Sequence, residues 1–561
     1  MPKMPKIFKA MRIFFLSLSI LVVIFACSCK KQQSADEIST KTIASAEQMM
    51  DLDFTAAERD SMLSGLQDVV KDYQKIRNYP LPNSIPPALL FNPLPSGFNP
   101  DIRQKKIVWD LPENVVLPGN INDLAFYTVA ELSVLIRQRK ISSVELTKFF
   151  LSRLKKYGDT LHCVISLTED LALQQAELAD NELKKGIYRS PLHGIPYGVK
   201  DLLSLPGYPT TWGAEPYQDQ VLEETATVIS KLEEAGAVLV AKLTLGALAM
   251  DDIWFGGQTR NPWDLNQGSS GSSAGSSSAT AAGLVPFSIG TETWGSIVSP
   301  TTRCGTTGLR PTFGRVSRYG AMALCWTMDK IGPICRTAED CALVFNVIQG
   351  QDSKDPSTIP AAFNFKSEVN LSELKIGYTG SLFKGKYINH INDSITLNIF
   401  RSMGARLIPV ELPDSIPTNA LGIILWAEAS AAFDELTRSN RDSLLCLQTK
   451  NAWPNFFRQG RFIPAVEYIN ANRLRTLLIQ ELNNLFSDYD VIICPSFEGD
   501  QLLMTNLTGH PCVVIPNGFI EGHPTSFSLL GNLFDEATIL AVAKEYQEAT
   551  GWDEMHPEMF K

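Results

Sequence analysis

Three stretches of this chain carry side chains whose types and spacing suit nucleophilic attack on a carbonyl. Lys200 closes the run Pro191-Leu-His-Gly-Ile-Pro-Tyr-Gly-Val-Lys-Asp-Leu202. Burial at the end of so apolar a run would disfavour its ammonium form and make the amine a usable base. A second stretch, Gln267-Gly-Ser-Ser-Gly-Ser-Ser-Ala-Gly-Ser-Ser-Ser278, runs straight into Ala279-Thr-Ala-Ala-Gly-Leu-Val285. A Gly/Ser linker would need a second domain to connect, whereas a Gly/Ser loop entering a helix offers small hydroxyls and free N–H groups where negative charge develops. The third, Gly290-Thr-Glu-Thr-Trp-Gly-Ser-Ile-Val-Ser-Pro300, follows an apolar strand-like segment at Leu284 to Ile289. A serine behind a glycine there is placed to be a nucleophile beside backbone donors. Gly271, Ser273 and Gly275 also spell G-x-S-x-G. A nucleophile elbow needs a strand directly before it, and Asn261-Pro-Trp-Asp-Leu-Asn-Gln267 reads as turn chemistry, so the motif is not taken as an elbow.

Positioning such groups requires a rigid scaffold, and the pattern from Leu124 onward supplies one. Thr128 caps a helix over Val129–Arg139, and Ser142 or Ser143 caps another through Tyr157. Val228 to Ala235 reads as a helix closed by Gly236, with Val238 to Ala241 as the strand after it. Further strands are expected at Leu284–Ile289, Leu374–Tyr378, Leu407–Val410, Val491–Cys494 and Cys512–Ile515. Strands alternating with amphipathic helices predict an α/β fold whose sheet is covered by helices on both faces.

Upstream of this body the chain changes character. Ile43 to Tyr79 is helical in pattern, with Thr55 before Ala56-Ala57-Glu58 as a capping-box start. Prolines from Pro80 to Pro100 are too dense for helix or central sheet and predict an extended arm. At the N-terminus, Lys3, Lys6, Lys9 and Arg12 precede an apolar run from Ile13 to Phe25. That run is shorter than the about 20 residues of a comfortable transmembrane helix and reads as an export signal. It ends at Ala26-Cys27-Ser28-Cys29, which is similar to a bacterial lipoprotein signal with Cys27 as the lipidated residue. Cys29 is the competing anchor, and a plain secretory signal or an uncleaved anchor is the other reading; each exports the protein, and the bacterial cell envelope is the expected location. The expected organisation is therefore a signal segment over 1–29, then tether, helical extension and Pro-rich arm over 30–123. A catalytic domain over 124–553 and a tail over 554–561 complete it.

Lys plus Arg number 50 against 60 Asp plus Glu, a formal charge of −10, so there is no basic footprint for nucleic acid. Six histidines and eight cysteines beyond Cys29 are scattered without metal-ligand spacing. No metal and no cofactor are expected. The cysteines mostly sit in apolar runs, as buried hydrophobes do, and which of them would pair after export is left open. Oligomeric state is left open too.

Taken together, the three stretches resemble the amidase signature family, whose catalytic core is a Ser–Ser–Lys triad. The family's GGSSGGS loop and GTDTGGSIRxP motif look like Ser270-Gly-Ser-Ser-Ala-Gly-Ser276 and Gly290-Thr-Glu-Thr-Trp-Gly-Ser296, and its PLHGIPxxVKD looks like the run ending at Lys200 and Asp201. Similarity continues through Thr259-Arg-Asn-Pro-Trp-Asp264, Gly308-Leu-Arg-Pro-Thr-Phe-Gly-Arg315, Asp329-Lys-Ile-Gly-Pro333 and Arg336-Thr-Ala-Glu-Asp340. It spans about residues 124 to 553 and is weakest near 350–460, where such families vary with substrate. The resemblance implies a mixed sheet in the amidase signature fold, Ser296 as nucleophile, Ser272 as a bridging serine in a cis peptide, and Lys200 as base. It also implies an oxyanion hole from the N–H groups of Thr293, Trp294, Gly295 and Ser296. The activity implied is cleavage of a small-molecule or peptide carboxamide through an acyl-enzyme. Two other readings stand beside it: a glutamine-hydrolysing amidotransferase A-subunit-like protein, and a non-catalytic surface-binding lipoprotein. Trp294 stands where the family has Gly, and Val298 where it has Arg. A left-handed backbone at 294 would make the Trp cost about 1–3 kcal/mol; otherwise it shapes specificity.

Overall fold

The computed structural model describes residues 38–561. The export segment with Cys27 and Cys29 therefore lies outside the described residues. The chain divides at Pro82/Asn83 into two compact units.

In the first unit the helical stretch is broken in two, Thr40–Met49 and Ala56–Arg77. The break falls where Thr55 starts the second helix. Its N–H donates to Glu58 Oε2 at 2.6 Å while its Oγ1 accepts from the Glu58 N–H at 3.3 Å, so two otherwise orphaned donors are satisfied locally. Glu47 and Arg59 pair between the helices. No residue of the second helix is buried.

The second unit is built on a mixed sheet. Its strands, in chain order, are β1 (Val164–Leu167), β2 (Pro196–Lys200), β3 (Val238–Leu243), the short pairs β4 (Ile253–Trp254) with β5 (Gly257–Gln258) and β6 (Arg260–Asn261) with β7 (Asp264–Gly268), then β8 (Ser288–Glu292), β9 (Thr307–Arg310), β10 (Lys330–Cys335), β11 (Ile376–Thr379), β12 (Leu407–Val410), β13 (Val491–Pro495), β14 (Cys512–Ile520) and β15 (His523–Gly531). Eleven of these form one sheet in the order β1-β3-β2-β8-β10-β9-β14-β15-β13-β11-β12. β2 runs parallel to both β3 and β8, and β11 parallel to β12 and β13, while the remaining pairs are antiparallel.

Alternation along β3 shows that both faces are covered. Val238 and Val240 join one apolar cluster with Leu151 and Leu154 of the helix Ser143–Leu161. Leu239 joins the other, with Leu135 and Phe345. Each such side chain, fully withdrawn from water, contributes about 1.5–3 kcal/mol. This two-sided burial is why the strands read as continuous apolar runs rather than alternating ones.

Several elements fall where the residue pattern predicts, with shifted ends. Thr128 and Ser142 cap Val129–Arg137 and Ser143–Leu161 through capping boxes with Glu131 and Glu145. β12 matches its predicted bounds, and β14 runs on to Ile520. Two expectations are corrected. The strand expected over Leu284–Ile289 is Ser288–Glu292, because Gly283 is left-handed (φ 63°) and the chain turns before extending. The segment before Ser269 is not simply a turn: β7 makes a hairpin with β6 there. That hairpin lies outside the main sheet, and Ser273, the middle of G-x-S-x-G, is fully buried. It is therefore not exposed as an elbow serine would be.

Close approach of β9 and β10 depends on Gly332. A Cβ there would lie 2.0 Å from the Leu309 carbonyl oxygen and 2.9 Å from Pro311 Cδ, backbone and ring atoms that have no freedom to move aside. Gly332→Ala is expected to destabilise the second unit by about 1–3 kcal/mol, the range for overpacking a filled core. A urea-unfolding midpoint unchanged from wild type would show that the two strands can separate without cost.

Candidate active site

Lys200 is the last residue of β2 and Glu292 the last of β8, two parallel neighbours registered Gly198 to Ser288 and Val199 to Ile289. Their carboxyl ends open on the same edge of the sheet, which is where open α/β sheets place ligands. Sequence-distant groups meet there. Lys200 is wholly buried. Its Nζ lies 2.8 Å from Ser272 Oγ, 2.9 Å from Thr291 Oγ1, 3.1 Å from Ser273 Oγ and 3.4 Å from the Thr291 carbonyl oxygen. Burial pulls its pKa down to about 7 against the opposing pull of Asp329 and Glu292, because no low-dielectric setting solvates the ammonium as water does. Three hydroxyls around an amine supply hydrogen bonds without supplying a counter-charge.

The Gly/Ser stretch turns helical earlier than its composition predicts, over Ala274–Ala281. Ser272 and Ser273 thus stand at the helix start, after a Gly271–Ser272 peptide that is cis. Ser273 Oγ accepts from the Thr291 N–H at 3.1 Å and donates to its carbonyl at 3.0 Å, pinning the loop to β8. Its N–H donates to the carbonyl of Ser296 at 3.1 Å. Through that one bond the loop holding Ser272 and the turn holding Ser296 are fixed side by side.

The turn itself is Thr293 to Ser296, between β8 and the helix Val298–Cys304. Gly295 is left-handed (φ 87°), while Trp294 is not among the left-handed residues. The strain considered for a Trp at 294 therefore does not arise: the turn puts its positive φ on the glycine. Trp294 is 39% exposed and Ser296 9% exposed, with Ser272 at 1%. Among the described residues, the N–H groups of Thr293, Trp294, Gly295 and Ser296 donate to no other group, and the Ser296 hydroxyl is not hydrogen-bonded. Successive free N–H groups around a left-handed glycine form a concavity suited to an anion. Of the six residues singled out from sequence, Lys200 and Ser272 are joined by a hydrogen bond, and Thr293 to Ser296 form the adjoining turn.

Glu292 and Asp329, inside the family-like motifs but given no role from sequence, turn out to hold this turn in shape. Glu292 Oε2 accepts from the N–H groups of Ile297 and Val298 at 2.8 and 3.0 Å, capping the helix after the turn. Its Oε1 faces Arg310 Nη1 at 2.8 Å and Asn506 Nδ2 at 2.7 Å. Burial would raise this carboxyl, but the Arg310 guanidinium and these hydrogen bonds override it and hold it at about 2. Asp329 accepts from Thr293 Oγ1 at 2.5 Å. Leu502 packs on the open side of Gly295, 3.3 Å from where a Cβ would stand. A carboxylate one residue before an unusually small turn was the available signal, but its arginine partner lies on another strand.

Glu292→Gln is expected to lower stability by about 3–5 kcal/mol, since it strands a fully buried Arg310 without its counter-charge. Denaturant unfolding measures this; a loss under about 1 kcal/mol would mean that water reaches the pair.

Residues 145–501 match the family model described as Amidase. Among curated proteins, the chain is 34% identical over 480 residues to the A subunit of glutamyl-tRNA(Gln) amidotransferase from Coxiella burnetii strain RSA 493, covering 77% of this chain and 99% of that one. It is 33% identical over 491 residues to the corresponding protein of Dehalococcoides mccartyi strain CBDB1, covering 78% and 100%. Among solved structures, the native peptide amidase of Stenotrophomonas maltophilia is similar with a TM-score of 0.70 and 27% identity, over 77% of this chain and 98% of that one. An amidase family protein of Bacillus anthracis gives 0.70 and 26%, over 78% and 93%. This chain belongs to the amidase signature family and has its fold. It is an amide-hydrolysing enzyme.

Proposed function

We propose that the protein cleaves the C–N bond of a carboxamide through an acyl-enzyme on Ser296, with Ser272 and Lys200 as the proton relay. The observation that carries this reading is the buried Lys200 amine, held near neutral pKa 2.8 Å from Ser272 beside the free N–H groups of the Ser296 turn. Serine is a weak nucleophile until a base takes its proton. Neutral Lys200 keeps a lone pair, takes the Ser272 proton as Ser272 takes that of Ser296, and the Ser296 oxygen attacks the carbonyl carbon. The tetrahedral oxyanion is held by the N–H groups of Thr293, Trp294, Gly295 and Ser296. As the C–N bond breaks, the proton passes back through Ser272 to the leaving amine. Water then attacks the ester by the same relay and releases the acid. Trp294, exposed at the turn, shapes the entrance and so the choice of amide.

Ser296→Ala and Lys200→Ala should each lower amide turnover by at least about 10⁴-fold, Ser272→Ala should leave a trace, and a double variant should be little worse than the worst single, as for residues acting as one unit. A fluorophosphonate probe should label Ser296 in the wild type alone of these; full turnover in Ser296→Ala would sink the mechanism. Labelling also separates catalysis from a purely binding role for the cleft.

The names of the curated relatives favour a second reading, glutamine hydrolysis within an amidotransferase. The export segment and the absence of a basic footprint speak for a free-standing envelope amidase instead, with a lipid anchor at Cys27 or Cys29. Assaying glutamine beside peptide amides distinguishes the two: turnover of glutamine alone would favour the amidotransferase reading.

The base sets a pH dependence whose sign is fixed. Below about pH 7 Lys200 carries its proton and cannot accept another, so turnover should fall about tenfold per pH unit toward acid and level off above neutrality. An optimum below about pH 5 would exclude a lysine base.

A further inference from the structure

The Pro-rich arm lies outside the matched residues 145–501, yet its side chains reach the loop that braces the Ser296 turn. Asn83 pairs its amide with one residue of that loop from both sides: Nδ2 donates to the Ala323 carbonyl and Oδ1 accepts from the Ala323 N–H, each at 2.7 Å. Ala323 is followed by Leu324 and Cys325, whose N–H groups donate to Asp329 Oδ2 at 2.8 and 3.0 Å. The other oxygen of Asp329 takes the Thr293 hydroxyl at 2.5 Å. Hydrogen bonds joined by the short backbone step from Ala323 to Leu324 thus connect the arm, through the loop, to the first residue of the turn.

The same loop is held from behind by a buried cluster. Arg475 donates to the Thr327 carbonyl at 2.7 Å and to its hydroxyl at 2.9 Å, and its Nε to the Leu507 carbonyl at 2.5 Å. Leu507 lies near the end of the helix Gln501–Thr508, the one that lays Leu502 on Gly295 and Asn506 on Glu292. Arg475 therefore ties together both supports of the turn. The arm covers that guanidinium: Phe91 lies over it, 3.5 Å from ring centroid to Cζ, and meets Phe313 edge-on at 5.0 Å. Removing water from above Arg475 strengthens every bond it makes.

We propose that the arm is a working part of the active site: Asn83 and Phe91 are positioning residues that hold the loop Ala323–Asp329, and through the Asp329–Thr293 bond hold the oxyanion turn. The inference rests on Ser296 being the nucleophile. Its chemistry predicts slower attack at Ser296 when the arm lets go, because misplacement of a site by about 1 Å from a distant change costs up to about 10²-fold. It further predicts that the effect travels through the Thr293 hydroxyl.

The test uses the full chain and the rate of Ser296 labelling by a fluorophosphonate, in wild type, Asn83→Ala, Thr293→Val and the double variant. Asn83→Ala should slow labelling about tenfold, and in the Thr293→Val background, where the link is already cut, it should slow it less than about twofold further. Such non-additivity marks a shared path, which general destabilisation does not produce. Thermal unfolding is followed alongside. Should Asn83→Ala unfold near the assay temperature, Asn83→Asp, which keeps the acceptor for Ala323 N–H and loses the donor, is measured with the same expectation of slower labelling. Labelling of the single variant within about twofold of wild type, or losses that multiply in the double variant, would overturn the role of the arm alone. No labelling at Ser296 in the wild type would overturn the nucleophile assignment as well.

Discussion

A lysine amine placed where water cannot reach it is the constraint on which the rest of this site depends. In water an ammonium of pKa about 10.4 has no capacity to take a proton at neutral pH. Enclosure at the carboxyl end of β2 changes that, and the enclosure is provided by the sheet's two covered faces together with the Gly/Ser loop laid across its edge. A contrast lies on the neighbouring strand of the same sheet. Lys242 on β3 is equally withdrawn from solvent, but Asp201 faces it at 2.7 Å, and the two satisfy each other. Lys200 has hydroxyls and a carbonyl instead, with no carboxylate within ion-pair distance among the described residues. The two neighbouring lysines thus differ in their partners: Lys242 faces a carboxylate, and Lys200 faces hydroxyls and a carbonyl.

Rigidity of the Ser296 turn follows from a second buried arrangement. The N–H groups of Thr293 to Ser296 are claimed by no other group among the described residues, and donors left unclaimed away from water are costly. Glu292 and Asp329 accommodate this by holding the residues on either side: one carboxylate caps the N–H groups of Ile297 and Val298, and the other takes the hydroxyl of Thr293. Arg310 compensates the charge of Glu292 in turn. The turn is thus framed by Glu292 and Asp329, whose carboxyl groups bond to the residues at its two ends. The family's arginine, replaced here by Val298, is no loss to this frame, since the backbone N–H at 298 is what Glu292 uses.

Legibility in the sequence differed between parts of the molecule for physical reasons. Local chemistry was readable. Capping boxes at Thr55, Thr128 and Ser142 act within four residues, and they stand in the structure as the sequence implies. Strands buried on both faces announce themselves as apolar runs, so β3, β12, β13 and β14 were found within a few residues. Boundaries failed where a backbone conformation rather than composition decides. The left-handed Gly283 delayed β8 to Ser288, and helix start at Ala274 lay hidden in Gly and Ser, which carry no periodic signal.

The sequence by itself determined the family, the α/β class and the three segments that carry the chemistry, because each is a short stretch with its own residue types. Lys200, Ser272 and the Thr293–Ser296 turn could be named without coordinates. Tertiary structure alone decided that β2 and β8 are parallel neighbours, so that Lys200 meets Ser272 beside the Ser296 turn. It alone decided that Glu292 pairs with Arg310, that Asp329 holds Thr293, and that Asn83 of the arm grips Ala323. Those contacts join residues far apart along the chain, and no local pattern encodes a partner that only the closing of the sheet brings within hydrogen-bond reach.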